Sequence, residues 1–233
     1  MKPLFRGSRI ISACHRVSFI AALTPFLCVG TSLAAESLSP ITLDFEQDPV
    51  ESPPAGFSFA RTGEGRPGRW MVVSDKGAPS GVKVLAQMDA DPSDYRFPVA
   101  VANVPVAKNL RLSVRCKSVS GQVDRAAGLV FRYEDENNYY VTRANALEGN
   151  VRLYRVVHGR RQQFAGWDGS VKAGVWHTYQ VEARGDHFEI FWDGQRVISA
   201  NDKTFPKAGR VGVWTKADSV TYFDDLNVEP LES

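Results

Sequence analysis

The chain has 233 residues, with 28 Lys+Arg against 26 Asp+Glu and three cysteines. That length supplies one sizeable all-β core, and the near balance of charge gives no global case for a nucleic-acid partner. Three cysteines exclude a disulfide-dense scaffold.

The first 34 residues read as a cleaved export signal. Lys2, Arg6, Arg9 and Arg16 form a basic start, Val17–Gly30 is an apolar run, and Ser32-Leu33-Ala34 offers small residues at a cleavage site. The run is too short for a comfortable membrane span. A lipid anchor on Cys28 is disfavoured because Leu27 stands where a small residue is wanted. The expected product is periplasmic or extracellular, with no membrane partner once the signal is gone. Because the leader holds four of the basic residues and none of the acidic ones, the remainder carries a formal charge of −2. Cys14 and Cys28 leave with it, and Cys116 remains as a buried, inert thiol in phase with Leu110, Leu112 and Val114.

Residues 35–40 read as a flexible lead, 41–229 as a single domain and 230–233 as a tail. Strands are expected at 41–45, 57–60, 70–73, 82–88, 97–102, 110–117, 127–133, 139–145, 151–157, 163–165, 176–184, 187–192, 196–199, 211–215 and 220–228. Asp193-Gly194 between β-rich runs is a type I′ hairpin signal, since both central residues need positive φ. No window has sustained helical periodicity. Short strands at this spacing predict an all-β, two-sheet antiparallel sandwich.

Alternation sorts the strands into two faces. Leu129, Phe131 and Tyr133 oppose Val130 and Arg132; Val151 and Leu153 oppose Arg152 and Tyr154; Val211 and Val213 oppose Trp214 and Lys216. The set Arg132, Tyr140, Arg143, Arg152, Tyr154, Trp214 and Lys216 is the candidate ligand surface, because aromatic platforms beside cationic donors suit the C–H faces and hydroxyls of sugars. Its alternative is a solvated sheet face with ordinary cross-strand pairs. The phase at Tyr139-Tyr140 is ambiguous, since both sides of that strand carry large groups and a one-residue slip exchanges faces.

Several segments resemble exported bacterial domains of the concanavalin A-like superfamily. They are Asp94–Ala100, Ala126–Tyr133, Asn138–Asn145 and Ala208–Leu226, the last containing Tyr222-Phe223-Asp224-Asp225. The resemblance spans roughly residues 41–228. It implies a jelly-roll of two curved sheets and places the chain near laminin G-like modules and 3-keto-disaccharide hydrolases, without implying one activity.

No catalytic set is assigned. A Glu-x-Asp-x-Glu arrangement, which would put three carboxylates on one strand face, is absent; Glu134-Asp135-Glu136 are consecutive. There is no Gly-x-Ser-x-Gly elbow, and His158, His177 and His187 lack a nucleophile partner or metal-ligand spacing. Asp44, Glu46, Asp224 and Asp225 come together if the first and last strands pair, and are a candidate Ca²⁺ site; the favoured reading is that Asp225 or Asp44 ties a loop backbone, the ligand count being incomplete. No cofactor is required. The expected partner is a poly- or oligosaccharide bound by the aromatic and cationic face. The alternatives are an enzyme cleaving oxidised glycosides in the manner of 3-keto-disaccharide hydrolases, and an envelope structural or protein-binding module.

Overall fold

The computed structural model describes residues 38–232. The expected export signal, residues 1–34, lies outside the described residues. Fifteen strands follow in chain order: β1 (Ile41–Leu43), β2 (Phe57–Gly63), β3 (Trp70–Ser74), β4 (Lys83–Gln87), β5 (Arg96–Ala102), β6 (Leu110–Ser120), β7 (Ala126–Asp135) and β8 (Asn138–Asn145). Then come β9 (Asn150–Val157), β10 (Arg160–Asp168), β11 (His177–Arg184), β12 (His187–Trp192), β13 (Gln195–Asn201), β14 (Arg210–Trp214) and β15 (Val220–Pro230). One sheet runs β13-β12-β11-β6-β15-β4-β3, with β1 on β15; the other runs β10-β9-β8-β7-β14-β5-β2. Every pairing is antiparallel, and the molecule is an all-β jelly-roll sandwich.

Local chemistry fixes the turns. Asp193 and Gly194 both have positive φ, 47° and 79°, so β12 and β13 are joined by the expected I′ hairpin. His158 and Gly159 repeat the device between β9 and β10, with φ of 49° and 74°. The inner faces meet as alternation requires: Leu112, Val114 and Cys116 of β6, with Tyr179 and Val181 of β11, face Leu129, Phe131, Val151 and Leu153. Burying each such side chain contributes about 1.5–3 kcal/mol. Cys116 is enclosed there, and burial pushes its thiol pKa well up, which suits an inert role.

The seven-stranded sheet also has a second core, on the face turned away from its partner sheet. Phe97, Val99 and Val101 of β5, Val130 of β7, Tyr139 and Val141 of β8, Tyr154 and Val156 of β9 and Trp214 of β14 form one buried cluster. A flat sheet would leave this face open. Here the sheet rolls onto itself: the Thr62 hydroxyl of β2 lies 2.7 Å from the Tyr139 hydroxyl of β8, although β7, β14 and β5 intervene in the sheet order. Just before β5, Tyr95 donates to the Gly159 carbonyl (3.0 Å) and accepts from the Arg161 N–H (3.0 Å), linking the β5 side to the far β9–β10 hairpin. Right-handed strand twist makes such diagonal closure accessible to a long sheet.

Candidate functional site

The rolled sheet encloses its aromatic side chains and leaves charged groups at one end. Trp214 stacks on Phe97 with ring centroids 5.3 Å apart, and Arg161 from β10 lies over Phe97, Tyr154 and Trp214 at 4.6, 4.4 and 5.8 Å. Across the sheet Trp214 pairs with Gly128, which pairs with Arg143. The glycine has a local reason: a Cβ there would come within 3.0 Å of the Trp214 ring.

Past the aromatics, β7, β8, β9 and β14 deliver a polar mouth. Arg143 donates to Asn150 (2.5 Å), Glu148 (2.8 Å) and the Tyr154 hydroxyl (3.3 Å). Its neighbour Arg152 donates to the Trp167 carbonyl (2.9 Å) and to Asp168 (2.6 Å). Lys216 stands 2.5 Å from Asp94 and 3.0 Å from Asp124. Asp124 in turn accepts from Asn145 at 3.0 Å, while its other oxygen, the one facing Lys216, is buried without a well-aligned donor. Three backbone N–H groups, of Gln122, Val123 and Asp124, point at the Asp218 carboxylate and set this loop.

The electrostatics follow from burial and pairing. Burial raises the Asp124 carboxyl pKa, and the Lys216 charge offsets this only in part. Burial opposes the charge on Lys216, but Asp94 and Asp124 outweigh it and hold the ammonium more firmly protonated than usual. Glu148 is likewise resisted by burial, yet Asn150 and Arg143 carry its pKa below the ordinary value. Asp124 is thus a buried carboxylate of raised pKa beside a firm cation.

Of the seven sequence-derived ligand residues, Arg143, Arg152, Tyr154, Trp214 and Lys216 share this face. Arg132 and Tyr140 do not, and the exposed aromatic platform is corrected as well. Arg132 occupies an irregularity in β7 with φ of 48°, which turns its side chain between the sheets. There it donates to the carbonyls of Phe205 and Gly185 and lies over Phe188. Tyr140 faces the inter-sheet core, donates to Asp202 (2.6 Å) and stacks on Phe131. Trp214 is fully buried, with 0% of its surface exposed, so it floors the site from within a core.

Asp94, Asp124, Asn145, Glu148, Asn150, Arg161 and Asp168 join the site in the fold without belonging to the sequence-derived set. Alternation continued past Arg143 reaches Asn145, and hairpin pairing then sets Asn145 opposite Asn150. That signal was readable. Arg161 was hidden because β10 extends well beyond 163–165. A groove of about 390 Å³ elsewhere, lined by Phe59, Ala60, Arg61, Pro67, Gly68 and Glu136, offers only two charged groups, and Arg61 already donates to Gly63.

At the Ca²⁺ candidate Asp44 ties a loop backbone, as the favoured reading expects. β1 does pair with β15, as expected, yet the four carboxylates bind protein donors. Glu46 accepts from the N–H groups of Val82 and Lys83, Asp44 from that of Glu46, Asp224 from Ser80 N–H, and Asp225 from the Ser80 hydroxyl. Among the described residues no three His, Cys, Asp or Glu side chains converge as a metal site.

Asp224 is buried, and burial followed by the neighbouring Asp225 charge pushes its carboxyl up to about 6, against an ordinary 3.8. A raised carboxyl favours the folded state where it is protonated and the unfolded chain is not, so stability falls as pH rises from about 4 to about 6. Asp224→Asn should remove this component. Relative to the parent, the variant gains up to about 3 kcal/mol between pH 4 and pH 6.5 in denaturant titrations. Parallel pH profiles for the two proteins would refute this.

No protein-family model matches the chain, and no curated protein matches it in sequence. Solved structures do. A carbohydrate binding module, CBM66 from Bacillus subtilis, superposes with a TM-score of 0.58 at 20% identity, covering 77% of this chain and 99% of that one. The cellulose-induced protein Cip1 gives 0.60 at 10% identity, over 83% and 98%. The exoplasmic/lumenal domain of VIP36, in a Ca²⁺/Man-bound form, gives 0.56 at 9% identity, over 83% and 90%. At these identities the likeness establishes the fold.

Proposed function

We propose that this domain binds a poly- or oligosaccharide at the polar mouth of the rolled sheet. The observation that carries the reading is the set of three cation–carboxylate pairs, Arg143–Glu148, Arg152–Asp168 and Lys216–Asp94, arrayed along one end of the sheet above Trp214 and Tyr154. Counting strands from β10 to β14, the pairs are spread over four strand spacings of the curved sheet. Sugar hydroxyls donate to carboxylates, and each pair sets an exposed carboxylate above the cation that holds it in place. Val123 and Leu147, exposed on the adjoining loops, add apolar contact for C–H faces. The fold shared with CBM66 and the VIP36 domain supports the reading without fixing a glycan.

The test is a glycan-array screen of the purified chain, followed by titration of any hit against Arg152→Ala and Lys216→Met. Each substitution is expected to weaken binding by about tenfold or more, equivalent to about 1.4 kcal/mol, at temperatures below the melt. Undiminished affinity in both variants would move the site elsewhere.

A further inference from the structure

We infer that the mouth selects neutral, hydroxyl-rich glycans and rejects uronate-bearing or sulfated ones. This rests on the carbohydrate-binding reading above and names the ligand class for the same site. The observation is an asymmetry of exposure within each ion pair. The side chains of Arg143, Arg152 and Lys216 are 5%, 17% and 12% exposed, whereas those of Glu148, Asp168 and Asp94 are 47%, 80% and 74% exposed. In all three pairs the cation lies below and the carboxylate stands toward solvent.

Two consequences follow. An approaching ligand meets negative charge first, and each cation beneath is already bound by a carboxylate at 2.5–2.8 Å. A sulfate or uronate would have to displace that partner or stand against it, and like charges in close contact oppose binding. A neutral hydroxyl faces no such opposition. Among the described residues Glu148 Oε1, Asp168 Oδ2 and Asp94 Oδ2 accept no hydrogen bond, so each outer carboxylate retains a lone-pair site for a sugar hydroxyl while its other oxygen holds the cation. Within the same mouth Arg143, buried and paired through both terminal nitrogens, retains an unpartnered Nε–H. The free groups at the surface are thus acceptors, which suits hydroxyl donors and not anions.

The probes are neutral oligosaccharides (glucan, galactan, mannan, xylan and fructan series) set against oligogalacturonate, alginate oligomers and sulfated galactan, titrated at low salt. Binding is expected among the neutral members, with acidic members at least about tenfold weaker. The paired substitution Glu148→Gln with Asp168→Asn, checked by thermal melt for an intact fold, should narrow that gap by strengthening acidic-glycan binding. An acidic member bound as tightly as the best neutral one would overturn the selectivity while leaving the glycan site standing. An unchanged gap in the paired variant would also overturn it. Failure of every probe, neutral and acidic, would overturn the carbohydrate reading itself, and this inference with it.

Discussion

Trp214→Ala is expected to lower the melting temperature by roughly 6–20 °C, as a core truncation would. Removing a fully buried tryptophan typically costs about 3–5 kcal/mol, and each kcal/mol shifts the midpoint by about 2–4 °C in a domain of this size. Trp214 meets the conditions for the full effect. It has no exposed surface, stacks on Phe97, and belongs to the cluster that fills the rolled sheet. Neighbouring strands limit collapse into the void, because Val99 and Gly128 pair with it on either side and their backbones are held in the ladder. Trp214→Phe should recover most of the loss, since a smaller ring still lies against Phe97. A differential scan settles the point: a midpoint within about 2 °C of the parent for the alanine variant would mean that the ring is not packed in a core. That result would restore Trp214 as a surface platform for ligand.

Alternation assigned Trp214 correctly to the face opposite Val211 and Val213, and the same logic put Arg152 and Tyr154 beside it, while Arg143 lay on a strand whose phase the pattern left open. Alternation reports which side of a sheet a residue occupies. It does not report what lies over that side. The cover here comes from the sheet's own roll, recorded in contacts such as Tyr95 with Gly159 and Thr62 with Tyr139, between residues 64 and 77 positions apart. No local pattern encodes them. Arg132 failed for a different reason: the irregularity after Phe131, with positive φ at an arginine, shifts the phase inside a strand whose sequence looks regular. The strand positions along the chain were more legible, because Gly, Asp and Asn at the turns and two-residue alternation between them act over a few positions. Even so, β10 was underestimated. It is an edge strand with polar residues on both faces, so its nine residues give little periodic signal.

The second large effect is expected at Arg96, which ties the site loop to the core. Arg96→Met should destabilise the fold by about 3–5 kcal/mol, the usual cost of breaking a buried, hydrogen-bonded charge. Its guanidinium is wholly buried and serves three separate segments: it donates to the carbonyls of Arg66 (2.7 Å), Pro67 (3.1 Å) and Ala217 (2.5 Å), and pairs with Asp89 at 2.8 Å. Methionine fills the volume but leaves these acceptors without donors, and the loss of partners outweighs the gain in apolar burial. Arg96→Lys should recover only part of the stability, since one ammonium cannot reach acceptors fanned around a planar group. The effect extends to ligand, because Ala217 follows Lys216 directly and its own N–H donates back to the Arg96 carbonyl at 2.9 Å. With the guanidinium gone, the turn that carries Lys216 loses its anchor while Arg143 and Arg152, on β8 and β9, keep theirs. Binding measured where Arg96→Met is still folded should therefore weaken, and adding Lys216→Met to that background should weaken it less than it weakens the parent. Denaturant titration supplies the first measurement and a double-mutant cycle the second. An unfolding midpoint unchanged from the parent would show that the buried guanidinium does not hold the three segments. Fully additive losses in the cycle would show that Lys216 is positioned independently of Arg96.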